Sequence, residues 1–295
     1  MPQERFLASL PGTVPRSDAD IPIMGVIDIG SNAIRLVIAQ IDREGNIEIL
    51  ERLQRAVRLG QSTFRRGLLS GQTMRVAIGV LRDFKRYIDL YQCNKIRAVA
   101  TSAVRDASNA DVFIDRVFTA TGINIEVISM SEESRLTFAV VRHTMANDPR
   151  FNSGRTAIVE VGGGSSVISL LQSGELINAM SLRLASIRLR EMMLATPSES
   201  ERQSAEMLRH HISNVINTTQ GNLQLSEVQT FVAIGADARF AAGQLHTQSA
   251  MPQDLSAPIP IEFIRLNQLI DQLMDQPPER LAQAYGMPYE DAETL

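Results

Sequence analysis

The fold of this chain is decided by the stretch Met24-Gly-Val-Ile-Asp28-Ile-Gly30-Ser31-Asn32, whose layout returns about 130 residues later in Ala157-Ile-Val-Glu160-Val-Gly162-Gly163-Gly164-Ser165-Ser166. Each stretch predicts a buried strand with an acidic residue near its end, then a tight turn rich in glycine and serine, then a second strand. A repeated unit of this kind predicts two similar lobes that present their turns to a shared cleft. Backbone N–H groups in such turns bind anions, and carboxylates bind the divalent cation that accompanies phosphate, so the pair predicts a phosphate-binding site.

Apolar periodicity around the two stretches predicts the same order of elements in each half of the chain. The strands predicted in the first half are 24–31, 34–41, 46–54, 96–100 and 123–128, and the helices are 72–91, 109–121 and 131–145. The strands predicted in the second half are 156–161, 166–172, 175–183 and 230–235, the helices are 185–195, 200–219, 236–244, 261–275 and 278–285, and 245–260 is a loop. Three strands followed by alternating helices and strands, twice over, predict a doubled α/β architecture with mixed sheets.

Domain boundaries follow from this pattern. The first lobe is expected over residues 21–128 and the second over 129–295. Residues 1–20 contain three prolines and several charges without a long apolar core, which predicts a flexible extension and not a secretory signal. The chain stops at residue 295 inside an amphipathic stretch, which suggests a C-terminal region that has been cut short.

Composition is that of a soluble globular protein, with 44% apolar and 21% charged residues among 295. No apolar stretch approaches the roughly 20 residues that a membrane span needs, so no membrane partner is expected. A single cysteine, Cys93, excludes an internal disulfide and fits a cytoplasmic location. A net charge of −4 argues against nucleic acid as the main ligand, and four scattered histidines without a cysteine and histidine cluster argue against a zinc site.

Positive charge is concentrated locally, in one early segment. Its arginines are Arg52, Arg55, Arg58, Arg65, Arg66 and Arg75. Two interpretations are open: a solvated face of the protein, or a basic rim that attracts a polyanion.

The repeated turns favour a ligand site when they are considered together. Alone, Asp28-Ile-Gly30-Ser31 is common in ordinary hairpins. The three successive glycines at 162–164 cost folding entropy and have no packing benefit that the sequence reveals, which favours the approach of a ligand to the backbone. A dinucleotide site is disfavoured, because a strand and not a helix follows each turn.

A second candidate segment is Ala98-Val-Ala-Thr101-Ser102-Ala-Val-Arg105, which follows one predicted strand and begins a helix. Thr101 and Ser102 are good helix caps, and the N-terminus of a helix binds anions. Arg105 would add a bidentate contact to phosphate there. The alternative is a surface arginine on a first helical turn.

The helix between the lobes begins at Ser129-Met-Ser131-Glu132-Glu133-Ser-Arg135. Ser129 and Glu132 match a capping box, and acidic residues favour a helix N-terminus. One glutamate is enough for that purpose. The second, Glu133, is predicted to project toward the cleft, where it could orient a water for attack on phosphorus.

Together these residues resemble the exopolyphosphatase / guanosine pentaphosphate phosphohydrolase (Ppx/GppA) family, from about residue 24 to the C-terminus. The resemblance rests on six ordered motifs: Asp28-Ile-Gly-Ser-Asn32 with Arg35-Leu, Arg58-Leu-Gly60, Ala100-Thr-Ser-Ala-Val-Arg105 with Asn109-Ala, Ile128-Ser-x-x-Glu132-Glu133-x-Arg135-Leu, Gly162-Gly-Gly-Ser165, and Ser181-Leu-x-Leu-Ala-x-x-Arg188-Leu-x-Glu191. It implies two ribonuclease H-like lobes of the actin-like ATPase superfamily, with mixed sheets flanked by helices and an interlobe cleft.

The resemblance also implies a reaction, in which water attacks a terminal phosphoanhydride of inorganic polyphosphate or of guanosine penta- or tetraphosphate. It assigns the general base to Glu133, and a site for Mg²⁺ or another divalent cation to Asp28 and Glu160. The phosphate-binding residues that it implies are Gly30, Ser31, Asn32, Arg35, Arg58, Thr101, Ser102, Arg105, Gly162, Gly163, Gly164, Ser165 and Ser166. A homodimer is implied as well.

The second lobe departs from the family pattern. Glu160 stands where the family has aspartate, and Val167 where it has glutamate. The family's Gly-Gly-Thr turn becomes Gly235-Ala236-Asp237, and its Arg-Ala-Asp stretch becomes Asp291-Ala292-Glu293. Two functions therefore stay open: an exopolyphosphatase-type hydrolase, or a catalytically degenerate sensor that binds polyphosphate or a guanosine alarmone. An ATP-dependent kinase on the same fold is disfavoured, because such kinases lack the Ser-x-x-Glu-Glu-x-Arg helix.

Overall fold

The computed structural model describes residues 21–195, 201–223, 225–246 and 258–293. The strands in this part of the chain are β1 (Ile23–Ile29), β2 (Ala33–Ile41), β3 (Ile47–Ala56), β4 (Lys95–Ala100), β5 (Ile125–Val127), β6 (Arg155–Val161), β7 (Ser166–Gln172), β8 (Glu175–Leu182) and β9 (Thr230–Gly235). The helices are α1 (Leu59–Arg66), α2 (Gly71–Leu90), α3 (Ser102–Arg105), α4 (Ala110–Thr121), α5 (Met130–Thr144), α6 (Pro149–Asn152), α7 (Ser186–Ala195), α8 (Glu201–Leu223), α9 (Ala236–His246), α10 (Phe263–Met274), α11 (Pro278–Tyr285) and α12 (Tyr289–Ala292).

These strands form two mixed sheets with related topology. The first sheet has the order β3-β2-β1-β4-β5, and the second has the order β8-β7-β6-β9. In each sheet three consecutive strands form an antiparallel meander, and a later strand joins in parallel, β4 beside β1 and β9 beside β6. The predicted architecture of two mixed sheets flanked by helices is confirmed.

The core of the first lobe (β1–β5 with α1–α4) lies between its sheet and α2. Its sheet residues include Ile27, Ile29, Ile34, Leu36 and Ile38, and its helix residues Met74, Ala77, Leu81, Phe84 and Ile88, all buried. The helix residues recur every three or four positions, which places them on one face. Since side chains alternate across a strand, Asp28 and Arg35 lie on the opposite face of the sheet from this core.

Helix α1 forms in the arginine-rich segment, where periodicity predicts no element. It is entered through Arg58, which adopts a left-handed conformation (φ 56°), and it ends at Gly67. Its buried residues include Leu59 and Gly60, and the helix packs against α7, which follows the second sheet. Contact with the other lobe therefore stabilises a helix of only two turns that its own sequence does not specify.

Some predictions fall outside the described residues, namely the extension at 1–20 and residues 247–257 of the predicted loop. The lobe boundaries stay predictions. Across the described ranges no helix is long and apolar enough to cross a bilayer.

Candidate active site

The two repeated turns share one backbone geometry. In the first, the Gly30 N–H donates to the carbonyl of Ala33 at 3.1 Å, and in the second the Gly162 N–H donates to the carbonyl of Ser165 at 3.0 Å. In each case the N–H of the first residue of the turn donates to the carbonyl three residues later, which is the reverse of the hydrogen bond that defines a β-turn. The repeat recognised in the sequence is thus a repeat in three dimensions.

The strands on either side of the turns pair in equivalent registers. Asp28 of β1 lies opposite Arg35 of β2, and Glu160 of β6 lies opposite Val167 of β7. The two carboxylates are therefore equivalent, but their cross-strand partners differ. Arg35 is charged and half-exposed, whereas Val167 is apolar and buried.

The glycine-rich turn of the second lobe lies directly against the first lobe. A Cβ atom on Gly164 would lie 2.1 Å from Ser102 Oγ and 2.5 Å from Ser31 Oγ, and one on Gly163 would lie 2.9 Å from Ile187 Cδ1. The Ser31 and Ser102 hydroxyls are buried and 2.9 Å apart. The sequence argument that these glycines have no packing benefit is therefore wrong, because only glycine allows this approach.

Glu133 occupies the first turn of α5. The Ser129 hydroxyl accepts a hydrogen bond from the Glu132 N–H at 3.1 Å, which confirms that half of the predicted capping box. The Glu132 carboxylate pairs with Arg135 on the surface. Glu133 points elsewhere, and its carboxylate accepts from Arg105 Nη1 at 3.1 Å.

The environment of Glu133 disfavours its charge. Burial raises the pKa of this carboxyl above its ordinary value, and the positive charge of Arg105 opposes the rise without cancelling it. The negative charges of Glu160 and Asp28 raise the pKa further. Glu160 also contacts α5, because its carboxylate accepts from Thr137, one helical turn after Glu133.

Arg105 connects this carboxylate to the first lobe. Its Nη1 donates to the carbonyl of Ile128 at 2.9 Å as well as to Glu133, and its side chain is only 17% exposed. Its Nε atom is buried and has no hydrogen-bond partner. A buried donor without a partner is costly, and an acceptor from outside could reach this N–H only after a movement of the groups that cover it.

The two carboxylates predicted to bind a cation are each held by a different neighbour. Asp28 Oδ2 accepts from Arg35 Nη1 at 2.9 Å, and Arg35 Nε donates in turn to Gln54 at 3.1 Å. Glu160 Oε2 accepts from Thr137 Oγ1 at 2.6 Å. In this structure Arg35 therefore neutralises Asp28, whereas the phosphate contact predicted for Arg35 stays a prediction.

The donor set suits Mg²⁺. No group of three or more histidine, cysteine, aspartate or glutamate side chains in the described residues could hold a metal ion. Mg²⁺ does not require such a group, since it is commonly bound by one or two carboxylates with water and substrate phosphates. Asp28 and Glu160 would supply the two carboxylates.

The residues that lead into α1 brace the first turn. The carbonyl of Asn32 accepts from the Arg58 N–H at 2.8 Å, and the carbonyl of Ser31 accepts from the Gly60 N–H at 2.9 Å. The Arg58 guanidinium lies 3.8 Å from the carboxylate of Asp291. The acidic residue that departs from the family pattern thus faces an arginine that was predicted to bind phosphate.

Predictions for the other hydroxyl residues are partly wrong in detail. Thr101 occupies the N-cap of α3 but makes no capping hydrogen bond, and α3 is a single turn. Ser102, also predicted as a cap, contacts Ser31 instead. Ser166 donates to the carbonyl of Leu184, so its hydroxyl is occupied within the protein. Ser165 is buried in the turn, and its phosphate-binding role is untested.

Sequence reasoning missed two residues of this site. Thr137 contacts Glu160, and its only signal in the sequence is its position four residues after Glu133 on a predicted helix. Arg188 lies in one of the six family-like motifs, but its local sequence indicates no role for it. It donates to Asp106 at 2.6 Å and to the carbonyl of Gly164 at 2.7 Å, so it joins the lobes at the glycine turn.

A sequence model of the Ppx/GppA phosphatase family matches residues 37–294. The chain belongs to the Ppx/GppA phosphatase family. Exopolyphosphatase 2 of Mycobacterium tuberculosis is 30% identical over 247 residues, which cover 79% of this chain and 72% of that protein. Exopolyphosphatase 1 of Mycobacterium bovis is 31% identical over 186 residues, which cover 63% of this chain and 53% of that protein. The chain thus spans about half the length of the latter relative.

The fold is that of solved Ppx/GppA proteins. An exopolyphosphatase from Cytophaga hutchinsonii superposes with a TM-score of 0.82 at 22% identity, over 92% of this chain and 86% of that one. At this identity the likeness establishes the architecture alone. The expected architecture of two mixed sheets flanked by helices agrees with that structure.

Proposed function

We propose that this Ppx/GppA chain is a hydrolase that releases terminal phosphate from inorganic polyphosphate, guanosine pentaphosphate or both, by attack of a water that Glu133 activates. The observation that carries the proposal is the largely buried Glu133 carboxylate, which lies 3.1 Å from the Arg105 guanidinium and one helical turn before Thr137, the residue that donates to Glu160. A titratable group with a raised pKa beside a specific cation is typical of an active-site base.

Each group of the site has a role in this reaction. Glu133 would accept a proton from the attacking water, and its raised pKa makes it a better proton acceptor near neutral pH. The Arg105 side chain, which is 17% exposed, would donate to a phosphate oxygen. Asp28 and Glu160 would hold Mg²⁺, which when bound supplies neutralisation of phosphate charge. Positioning and charge neutralisation are the main requirements of phosphoryl transfer.

The arginine-rich segment favours a long polyanion over a nucleotide. Arg52, Arg55, Arg65, Arg66 and Arg75 are all exposed. A concentration of exposed arginines in one segment can attract a polyphosphate chain, whereas a guanosine pentaphosphate is too short to contact many of them. Polyphosphate is therefore the first substrate to test.

A second function is favoured by the second lobe. Val167 is buried where the family has an acidic residue, and the glycine turn is packed against Ser31 and Ser102. A protein that binds polyphosphate or a guanosine alarmone without hydrolysing it, and signals through movement of its lobes, would have these properties.

One experiment separates the two functions. Phosphate release from long-chain polyphosphate and from guanosine pentaphosphate is measured with Mg²⁺ for the wild type, Glu133→Gln and Glu132→Gln. The neighbouring Glu132 is a matched control, because its carboxylate pairs with Arg135 on the surface. Loss of a general base is expected to reduce the rate by about 10²–10⁴-fold in Glu133→Gln alone. Binding of either ligand without any release would establish the sensor, and equal rates in all three proteins would show that Glu133 is not the base.

The homodimer implied by the resemblance and the cytoplasmic location indicated by the single cysteine also belong to this proposal. Sedimentation equilibrium of the purified chain tests the first, and the oxidation state of Cys93 in cells tests the second.

A further inference from the structure

The two lobes hold their equivalent carboxylates in different ways. In the first lobe, the cross-strand neighbour Arg35 donates to Asp28 at 2.9 Å. In the second lobe, the cross-strand neighbour of Glu160 is Val167, which has no hydrogen-bond donor in its side chain and is 3% exposed. The sheet of the second lobe therefore cannot fix its carboxylate as the first does.

Thr137 of α5 takes the place of the missing strand partner. Its hydroxyl donates to Glu160 Oε2 at 2.6 Å, and both side chains are partly buried. Thr137 follows Glu133 by four residues, so the two lie on one face of α5, one turn apart. The helix that carries Glu133 thus also holds the carboxylate of β6.

The length of Glu160 matters for this contact. An aspartate at the same backbone position would be shorter by one methylene, and its carboxylate would end about 1.5 Å nearer to β6. The Thr137 hydroxyl, which is 2.6 Å from the Glu160 carboxylate, would be beyond hydrogen-bond distance of that aspartate unless the helix moved. The contact with Thr137 therefore depends on the glutamate that stands here in place of the family's aspartate.

We propose that Thr137 is a positioning residue that fixes one oxygen of Glu160 against α5 and leaves the other, Oε1, to the cation that accompanies the substrate. The assignment rests on the proposed function, because it concerns the same cleft. By tying β6 to α5, Thr137 also sets the separation between Glu160 and Glu133. Neighbours that orient a metal-binding carboxylate in this way commonly change metal affinity by about 10–100-fold when they are replaced.

The test compares Thr137→Val, which removes the hydroxyl at nearly constant shape, with Thr137→Ser, which retains it. Thr144→Val is the matched control, since Thr144 is an exposed residue of the same helix. Three quantities are measured for each variant of the whole chain: the dissociation constant of Mn²⁺, by calorimetry without substrate, the Mg²⁺ concentration that gives half-maximal phosphate release from polyphosphate, and the KM for polyphosphate at saturating Mg²⁺.

We expect Thr137→Val to weaken Mn²⁺ binding and to raise the half-maximal Mg²⁺ concentration by about tenfold or more. The KM for polyphosphate at saturating Mg²⁺ should stay near that of the wild type. Thr137→Ser and Thr144→Val should resemble the wild type in all three quantities. A purely structural role would lower the amount of active protein without changing the metal constants.

The outcomes separate this inference from the proposed function. If the wild type releases no phosphate but binds Mn²⁺, the hydrolase proposal fails, and the calorimetric comparison alone still decides the role of Thr137. Equal Mn²⁺ constants for the wild type and Thr137→Val would overturn the inference even if hydrolysis is found. Absence of Mn²⁺ binding in the wild type would overturn it as well.

Discussion

The Arg188 guanidinium in α7 joins the two lobes, because its Nη2 donates to the carboxylate of Asp106 at the end of α3 over 2.6 Å. Its Nε donates to the carbonyl of Gly164 at 2.7 Å, and its guanidinium carbon lies 4.0 Å from the centre of the Phe64 ring. One side chain thus contacts the first lobe twice and the glycine turn of the second lobe once. Arg188 holds the glycine turn of the second lobe against the first lobe.

Replacement of Arg188 should loosen this contact. Arg188→Met leaves a partly buried Asp106 without its cation, and we expect a loss of about 2 kcal/mol in the free energy of unfolding. The KM for polyphosphate should change as well, since the glycine turn loses its anchor. Urea titration and phosphate-release kinetics check this, with the exposed Arg183→Met as control. A variant as stable as the control would show that the lobes are held by other contacts.

Gly164 should not tolerate a methyl group. Its Cβ would lie 2.1 Å from Ser102 Oγ, so Gly164→Ala must push the turn away from the first lobe. Overpacking of this kind costs about 1–3 kcal/mol, and we expect a lower kcat. Gly79→Ala is the opposite case: Gly79 is within α2 with open space around it, and alanine should stabilise that helix by about 0.5–1 kcal/mol. Thermal unfolding of both variants tests the contrast, and similar shifts would contradict it.

The activity should depend on the ionisation of Glu133. A general base must be deprotonated, so the rate should fall as the pH drops through the pKa of Glu133, which burial raises above its ordinary value. Because Arg105 partly opposes that rise, Arg105→Met should move the acidic limb to higher pH. The pH profiles of kcat/KM for the wild type and Arg105→Met measure the position of the acidic limb in each protein. An acidic limb that Arg105→Met leaves in place would assign it to another group.

Stability should respond to the same carboxyl. The pKa of Glu133 is raised in the folded state. Its contribution to the free energy of unfolding is therefore complete below the pKa of the unfolded state and is lost as the pH rises through the pKa of the folded state. Glu133→Gln cannot ionise, so its stability relative to the wild type should increase from acidic to neutral pH.

Glu132 should show the opposite sign. A hydrogen bond from Arg135 lowers the pKa of Glu132 in the folded state. The contribution of Glu132 to the free energy of unfolding is therefore present above the pKa of the unfolded state and is lost as the pH falls through the pKa of the folded state. Glu132→Gln should therefore lose stability relative to the wild type from acidic to neutral pH. Urea titrations at several pH values measure both trends, and parallel trends in the two variants would contradict the assignment.

A charge network near the C-terminal end should matter for folding. Glu191 is 3% exposed and accepts from Arg190 Nη1 at 2.8 Å, while Arg190 Nε donates to Glu293 at 3.0 Å. Arg190→Met would leave a buried carboxylate unpaired, with an expected loss of about 3 kcal/mol. Arg86→Met, which breaks an exposed pair with Asp83, should cost less than about 1 kcal/mol. Denaturant titration compares them, and equal losses would exclude the network as a source of stability.

The order of helices and strands could be predicted from the sequence because it depends on short-range patterns. Alternation along β1 and β2, the spacing of apolar residues in α2, and the glycine turns are all local properties. The short helix α1 escaped prediction, since contact with α7 stabilises it. Glu133 could be singled out in the sequence because Glu132 alone is enough to complete the capping box, which leaves the second glutamate for another role.

By itself the sequence determined the doubled strand, carboxylate and turn, and with it the fold of two mixed sheets. It also predicts that Asp28, Glu160 and Glu133 share one cleft. Only the tertiary structure decided how those groups are held. Thr137 and Glu160 are 23 residues apart in the chain, and Arg188 and Asp106 are 82 apart. No local pattern links such residues, because their contact depends on how helices pack onto sheets. The same packing decided that the glycine turn, which by sequence suits a phosphate, lies against the hydroxyls of Ser31 and Ser102.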